Sequence, residues 1–308
     1  MTGPQLDLSG VETPGKFASP RKEPITAAAR RRLSRPWATV SAIILAVVWT
    51  IPTFGLLVTS FRSRQDINTS GWWTGLLGPF TLENYQTILD SSNSQSLAPF
   101  VLNSIVITVP SVLLPVALAT LAAYAFAWMD FRGRNVLFIA VFAMQVVPIQ
   151  VALIPLLQIY ARAGLANSFW AVWLSHTMFG LPLAVFLLHN FMREIPRDIL
   201  EAARVDGAGH VTTFFRLMLP MLTPALAAFG IYQFLWVWND LLVALTFAGS
   251  SNKVAPMTVA LLNLTGTRGN QWFLLSAGAF VSIIVPVLVF LSLQKYFVRG
   301  LLAGSVKG

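Results

Sequence analysis

The segment Glu201-Ala-Ala-Arg-Val-Asp-Gly-Ala-Gly-His-Val-Thr-Thr-Phe-Phe-Arg-Leu-Met-Leu-Pro220 lies in a polar connection, residues 192–220, between two long apolar runs. Charged side chains are costly in the hydrocarbon core of a membrane, so this connection is expected outside the bilayer. Two short helices bent at a glycine would form a rigid, polar projection there. We expect such a projection to dock on a soluble partner protein.

The first part of this connection has the pattern of a short amphipathic helix. Pro196 precedes it, and Asp198 and Glu201 lie near its first turn, where the helix dipole stabilises negative charge. A second short helix is expected to run towards Leu217. Three residues mark the expected breaks, the last of them at the start of the next apolar run: Gly207, Gly209 and Pro220.

Six apolar runs dominate the rest of the chain, at about residues 37–60, 99–128, 136–161, 168–191, 221–247 and 271–297. About 20 apolar residues suffice to cross the hydrocarbon core, and backbone inside lipid must satisfy its own hydrogen bonds. The runs therefore predict an all-α membrane protein with about six transmembrane helices. Seven prolines beyond the first turn of these runs predict kinks or simple curvature: Pro52, Pro110, Pro115, Pro148, Pro155, Pro182 and Pro286.

Composition agrees with a membrane protein. The 308 residues are 56% hydrophobic and only 11% charged, whereas soluble domains are about 25% charged. The net charge of +9 could indicate nucleic acid binding, but the basic residues are concentrated in short segments between the runs. With the N-terminus inside, sixteen Lys and Arg residues fall on the inner side and five on the outer side. This bias predicts cytoplasmic termini and no nucleic acid partner.

The regions outside the spans divide the chain into three parts. Residues 1–36 are polar, end in a basic cluster and predict a disordered cytoplasmic tail rather than a signal peptide. Residues 37–299 form the predicted transmembrane domain, and residues 300–308 a cytoplasmic C-terminal tail. The chain has no cysteine, which excludes disulfides, iron–sulfur clusters and thiol catalysis.

The polar connection resembles the EAA loop of ABC importer permeases, whose pattern is E-A-A, three residues, G, nine residues, I, one residue, L-P. Glu201-Ala202-Ala203 is followed at these spacings by Gly207, by Leu217 in place of the isoleucine, and by Leu219-Pro220. We call residues 201–220 the EAA segment. Further segments of this sequence resemble the permeases of the maltose-type carbohydrate branch, specifically the second, MalG-like permease. They are 80–85 (FTLENY), 103–104 (NS), 122–126 (AAYAF), 238–240 (WND) and 300–308.

This resemblance implies a type I ABC importer permease in the bacterial cytoplasmic (inner) membrane that carries a sugar, such as an oligosaccharide or glycoside. It implies three partners: a second, MalF-like permease, a homodimeric ATPase and an extracytoplasmic sugar-binding protein. No Walker A pattern occurs, so this chain is expected neither to bind nor to hydrolyse ATP. The resemblance implies a transport subunit that is not an enzyme and needs no cofactor, whereas ATP and magnesium belong to the ATPase. The residues implied in ATPase coupling are Glu201, Ala202, Ala203, Arg204, Asp206, Gly207, Gly209, Leu217 and Pro220.

The fifth apolar run carries candidates for the transport pathway. Asp240 is the only acidic residue well inside a run, and a membrane charge should face protein or water. Asp240 and its neighbours on one face of this run either line a sugar pathway or form a hydrogen-bond cluster between helices, and we favour the cluster. On a continuous helix its members would fall within an arc of about 120°: Tyr232, Gln233, Trp236, Asn239, Asp240 and Val243.

Other polar residues inside the runs are pore or interhelical candidates, and interhelical packing is the favoured role: Gln145, Gln150, Gln158, His176 and Thr177. The three histidines lack metal-ligand spacing, so no metal site is predicted. Alternative functions are a permease of another ABC branch for amino acids, phosphate or peptides, a membrane enzyme, or a channel. No H-E-x-x-H, G-x-S-x-G or T-V-G-Y-G pattern supports the last two.

Overall fold

The structure, a computed structural model, describes residues 36–265 and 271–305, with side chains described as far as residue 294. The predicted N-terminal tail lies outside these residues, apart from Pro36. The chain divides into two compact units, 1–54 and 55–308. In the first unit, residues 36–54 are helical and belong to α1 (Pro36–Ser60), which matches the first predicted span.

The connection after α1 is organised by buried polar side chains. It contains α2 (Arg64–Thr69), a 3₁₀ turn (Trp72–Leu76) and α3 (Glu83–Leu89). Arg62 is only 3% exposed, and its guanidinium donates to the carbonyls of Asp66, Ser70 and Gly71. Asn84 donates to the carbonyl of Arg62 at 2.9 Å. These bonds fold the connection against itself before α4 (Ala98–Trp128), which is the second predicted span.

The third predicted span is not one straight helix. It consists of α5 (Arg134–Ala143), a 3₁₀ turn (Met144–Val146) and α6 (Ile149–Arg162), with a bend of 100° between the two parts. Pro148 causes the break, because proline lacks an amide hydrogen and disfavours helical backbone at the residue before it. Val147 is accordingly extended, at φ −71° and ψ 119°.

The fourth predicted span is the continuous helix α7 (Phe169–Arg193). Ser168 caps it by accepting a hydrogen bond from the amide of Ala171 at 3.4 Å. Helix α7 packs along most of α4, and the later helix Thr223–Trp238 lies against both.

The EAA segment and the fifth predicted span form a series of short helices. They are α8 (Arg197–Val205), α9 (His210–Thr213), a π turn (Phe214–Met218), α10 (Leu219–Met221), α11 (Thr223–Trp238) and α12 (Leu242–Ala248). Two expectations were wrong. Pro220 does not begin the span but lies in α10, and α11 starts at Thr223 after a bend of 70°. The run 221–247 is also interrupted, because α11 ends at Trp238.

The last two helices are α13 (Met257–Thr265) and α14 (Trp272–Ser305). Helix α14 contains the sixth predicted span and continues beyond its expected end at residue 297. Asn103 and Ser104 of α4 hold the start of α13: the Asn103 amide donates to the carbonyl of Ala255 at 3.0 Å, and Ser104 Oγ accepts from the amide of Met257 at 2.8 Å. In the part of the chain described, four helices are long and apolar enough to cross a membrane, or six when each bent pair counts as one span.

Candidate functional site

Helix α8 of the EAA segment exposes one face and buries the other. Leu200 and Ala203 are 4% and 6% exposed and pack inward, whereas Glu201, Ala202 and Arg204 are exposed. Ala203 was grouped with Ala202 among the residues implied in ATPase coupling, but its side chain is buried against this chain. The exposed face of α8 consists of Glu201, Ala202 and Arg204, with Asp206 at the C-terminal end of the helix.

Gly207 makes the sharp turn after α8. Its φ of +79° is in the left-handed region that only glycine adopts without strain, and no atom lies within 4 Å of where a Cβ would be. The amides of Gly207 and Ala208 donate to the carbonyls of Arg204 and Ala203, at 3.0 and 2.9 Å, and so close the helix end. Gly209 has an ordinary φ of −74° and precedes α9.

The rest of the EAA segment is fixed to the ends of the spans. Met218 and Leu222 are fully buried in a core cluster that also contains Leu188 of α7 and Ala123 of α4. Leu217 packs against the same cluster, whereas Pro220 is exposed. The segment is therefore joined to the spans through an apolar core rather than tethered by a flexible linker.

His210 adds a polar contact that sequence reasoning missed. Its Nδ1 lies 3.0 Å from the hydroxyl of Tyr124 near the end of α4. The partners are 86 residues apart in sequence, and Tyr124 was noted only as part of the 122–126 match. No local pattern in the sequence identifies this pair.

Within the spans, a buried histidine is at the centre of the predicted polar group. His176 of α7 has no exposed surface, and three predicted residues contact it. Gln233 Nε2 donates to the His176 carbonyl at 3.4 Å, the Trp236 ring lies edge-on at 5.2 Å between centroids, and Asp240 Oδ2 is 3.7 Å from His176 Nε2. The structure therefore brings Gln233, Trp236 and Asp240 together, and we call these three with His176 the His176 cluster.

Asp240 also closes the break between α11 and α12. Its carboxylate accepts hydrogen bonds from the amides of Val243 and Ala244 at 3.3 and 2.8 Å, as an N-cap does. Its carbonyl accepts from Thr258 Oγ1 of α13 at 2.7 Å. One residue thus contacts three helices, α7, α12 and α13.

The other residues predicted to share one helix face with Asp240 lie outside the His176 cluster. Tyr232 is 50% exposed, and the exposed Asn239 donates to the carbonyl of Leu235 in its own helix at 2.8 Å. Val243 is buried, but on α12 rather than α11. The expected single arc was wrong because the helix ends at Trp238, whose Nε1 donates to the Ser282 carbonyl of α14 at 3.1 Å.

The polar layer around His176 contains hydrogen-bonding groups without partners in the described part of the chain: Ser111 Oγ, Thr177 Oγ1, Gln233 Oε1 and both His176 ring nitrogens. Ser111, which sequence reasoning missed, accepts from Gln233 Nε2 through its carbonyl at 3.1 Å. Uncharged donors and acceptors of this kind can bind water or sugar hydroxyl groups. Nothing among the described residues forms a group of three metal-ligating side chains.

The three glutamines of the third predicted span are exposed in this chain. None of them packs between its helices, contrary to the favoured role. Gln145 lines a largely apolar cavity of about 320 Å³ at the break between α5 and α6, together with Pro148 and Pro182. Gln150 and Gln158 face outward on α6.

Comparison with known proteins places this geometry in context. The family model for a binding-protein-dependent transport system inner membrane component matches residues 115–302. The osmoprotective compounds uptake permease protein GgtD of Synechocystis sp. is 51% identical over 87% of this chain and 91% of its own length. The alpha-glucoside transport system permease protein AglG of Rhizobium meliloti is 36% identical over 90% of this chain and 99% of its own.

A solved structure has the same fold. A chain of the bacterial ABC transporter involved in the import of the acidic polysaccharide alginate superposes with a TM-score of 0.71 and 21% identity. The match covers 86% of this chain and 98% of that chain. The fold is therefore that of an ABC importer permease, as the EAA resemblance implies.

Proposed function

This chain belongs to the family of binding-protein-dependent transport system inner membrane components, and from this membership we propose that it is one of two permease subunits that form the path of an ATP-driven sugar importer. Membership makes it a transport subunit of an ABC importer in the inner membrane. The sugar, the second permease, the ATPase and the cytoplasmic position of both termini are parts of the proposal.

The observation that carries the proposal is the construction of the EAA segment. Helix α8 presents Glu201, Ala202 and Arg204 to the outside, while Met218 and Leu222 anchor the segment in the core between α4 and α7. A displacement of α8 by a closing ATPase dimer would therefore move the ends of both spans as a unit. Rigid coupling of this kind is what alternating access requires.

A carbohydrate cargo is favoured by two features. The alpha-glucoside permease is 36% identical over nearly its whole length. The His176 cluster offers neutral and acidic hydrogen-bonding groups beside Trp236, and no arginine or lysine lies inside the described spans 98–128, 169–192 and 223–238. Sugar hydroxyls need no cationic partner, whereas a phosphate cargo would.

An osmoprotective solute is the second candidate cargo, because the GgtD relative is 51% identical. Deletion of the gene, followed by uptake of labelled glucosides at low and high external salt, separates the two. Loss of sugar uptake at both salt concentrations supports a nutrient importer, whereas loss only after osmotic upshift supports the second candidate. Unchanged uptake of every sugar and osmoprotectant tested would contradict both.

The coupling role is tested at Glu201. Glu201→Lys should abolish uptake and release ATP hydrolysis from control by the binding protein, while the binding protein still binds its sugar. Glu83→Lys is a suitable control for the same charge reversal, since Glu83 is exposed on α3 and lies outside the EAA segment. Normal uptake by the Glu201→Lys transporter would exclude a contact of this residue with the ATPase.

A further inference from the structure

A basic cleft lies beside α8, at the level where the spans end. Its volume is about 160 Å³, and it is bounded by the last residues of α4 and α7, the start of α5 and one side of α8. Four arginines and two acids provide its charged groups: Arg134, Arg193, Arg197, Arg204, Asp130 and Glu201. The cleft therefore has two more positive than negative charges.

The arginines of the cleft differ in how far they are already paired. Arg134 donates to the Asp130 carboxylate at 3.0 Å and to the Met129 carbonyl at 3.1 Å. In the described part of the chain, no hydrogen bond or ion pair engages the guanidinium groups of Arg193, Arg197 or Arg204. Three guanidinium groups thus remain available to an anionic ligand.

Trp128 supplies an independent indication of a ligand. It is the last residue of α4 and lines the cleft, and its indole Nε1 is buried without a hydrogen-bond acceptor among the described residues. A buried N–H without an acceptor is costly. A phosphate oxygen in the cleft would accept from the arginines, and would provide that acceptor once the indole ring turns towards the cleft.

The surroundings of the cleft favour lipid as the source of the phosphate. Helix α5 leads away from the cleft and exposes Val136, Leu137 and Ile139 by 73%, 51% and 64%. An acyl chain can lie along such a surface while the headgroup occupies the cleft. Tryptophan is also enriched where spans meet the headgroup region.

We propose that this cleft binds the phosphate of an anionic phospholipid, such as phosphatidylglycerol, in the cytoplasmic leaflet. The proposal rests on the orientation given under the proposed function. Arginine forks match phosphate oxygens in geometry, and basic pockets on the cytoplasmic side of membrane proteins bind anionic headgroups. A lipid held by both Arg193 of α7 and Arg197 of α8 would strengthen the link between the spans and the EAA segment.

The test uses the full chain, co-purified with its transporter subunits and reconstituted in nanodiscs of phosphatidylcholine with increasing phosphatidylglycerol. Native mass spectrometry counts the anionic lipids retained. Arg193→Gln and Arg197→Gln should each lower the affinity about fivefold, and the double variant more, since each basic residue near an anionic membrane contributes a factor of that order. Trp128→Phe keeps the ring but removes the N–H donor, and should also weaken retention.

Arg216→Gln is the matched control. Arg216 is exposed in the same polar connection but lines a different pocket, with Asp206 and Leu217. The Arg216→Gln variant should therefore retain as much lipid as the wild type. Arg193→Lys keeps the charge and gives a second variant if Arg193→Gln does not assemble, with intermediate retention expected.

Several results would overturn the proposal. One is equal retention of phosphatidylglycerol by wild type and the Arg193→Gln/Arg197→Gln double variant. Another is displacement of the bound lipid by millimolar inorganic phosphate, which would assign the cleft to a free anion. A third is unchanged lipid retention with loss of the ATPase, which would assign the arginines to a protein contact. Lipid retention is measured without cargo, so a wrong choice of sugar leaves this result intact.

Discussion

Asp240 shows how one side chain can hold a broken span together. Its carboxylate is 9% exposed, accepts two amide hydrogens at the start of α12 and lies 3.7 Å from the ring of His176. Buried acids are costly in a membrane unless their oxygens are bonded. Here the bonds come from the backbone that the break itself exposes, which favours a structural role between helices over a role in the pathway.

Substitution of Asp240 should separate these two roles. Asp240→Asn keeps one acceptor and the shape, so the complex should assemble at nearly normal yield. Asp240→Leu leaves two amides without an acceptor, at a cost of about 1–3 kcal/mol, and should lower the amount of complex in the membrane. The measurement is complex yield by immunoblot beside sugar uptake per complex. Normal yield of the leucine variant with lost uptake would make Asp240 a pathway residue.

Gly207 and Gly209 both have room for a Cβ atom, but they differ in backbone conformation. Neither has an atom within 4 Å of a Cβ position, but only Gly207 has a positive φ. Gly207→Ala should therefore cost about 1–2 kcal/mol in turn geometry and impair the coupling of uptake to ATP hydrolysis, whereas Gly209→Ala should cost less. Coupling is measured as sugar transported per ATP hydrolysed in proteoliposomes. Equal effects of the two alanines would contradict the conformational explanation.

At the scale of elements, α7 and α11 approach closely because Gly180 lacks a side chain. A Cβ at Gly180 would lie 2.7 Å from both terminal atoms of Gln233, which is fully buried. Gln233 in turn donates to the carbonyl of Ser111 on α4 at 3.1 Å. Small residues at helix crossings and polar groups that bond across them are the usual means of packing in membranes.

Gly180→Ala should therefore destabilise this crossing. The alanine must displace Gln233 from its bonds to α4 and α7, at a cost of about 1–3 kcal/mol. Thermal unfolding of the purified complex should show a lower Tm, and Gly180→Ala/Gln233→Ala should recover part of the loss because the shorter side chain makes room. Gly230→Ala on α11 is the control, since no atom lies within 4 Å of its Cβ position. A Tm unchanged by Gly180→Ala would show that the helices can shift freely.

In the whole molecule, the described residues leave much apolar side-chain surface on α4, α5 and α6 exposed. Leu102 and Leu113 of α4 are 63% and 61% exposed, and Ile154 of α6 is 68% exposed. Lipid can cover such surface, and so can the second permease of the proposed importer. The bend between α5 and α6 adds a groove of the same apolar character.

The chain is therefore expected to need its partners. Expressed alone, it should give a low yield of aggregated material without ATPase activity, since its sequence contains no Walker A pattern. Co-expressed with a second permease and the ATPase, it should elute as a single species. Size-exclusion chromatography in detergent, with ATP hydrolysis measured on each fraction, checks both expectations. Monodisperse, ATP-hydrolysing protein from this chain alone would contradict them.

Features that depend on local composition and spacing could be predicted from the amino-acid sequence. The apolar runs predicted the helices Pro36–Ser60, Ala98–Trp128 and Phe169–Arg193 to within two residues, because the length of a membrane span is set by the bilayer. The spacing around Gly207 predicted both α8 and its end, since a positive φ is a local requirement. The family followed from that same spacing.

The construction of the interrupted spans, and the residues that they surround, depend on contacts between distant parts of the chain. Pro148 was visible as a possible kink, but the position of a proline does not give the angle of the bend, which is 100°. The break at Asp240 and the central place of His176 could not be predicted, because Asp240 is held by contacts with three separate helices, α7, α12 and α13. Such contacts between distant parts of the chain leave no periodic pattern in the sequence, since each is made by one side chain at one crossing.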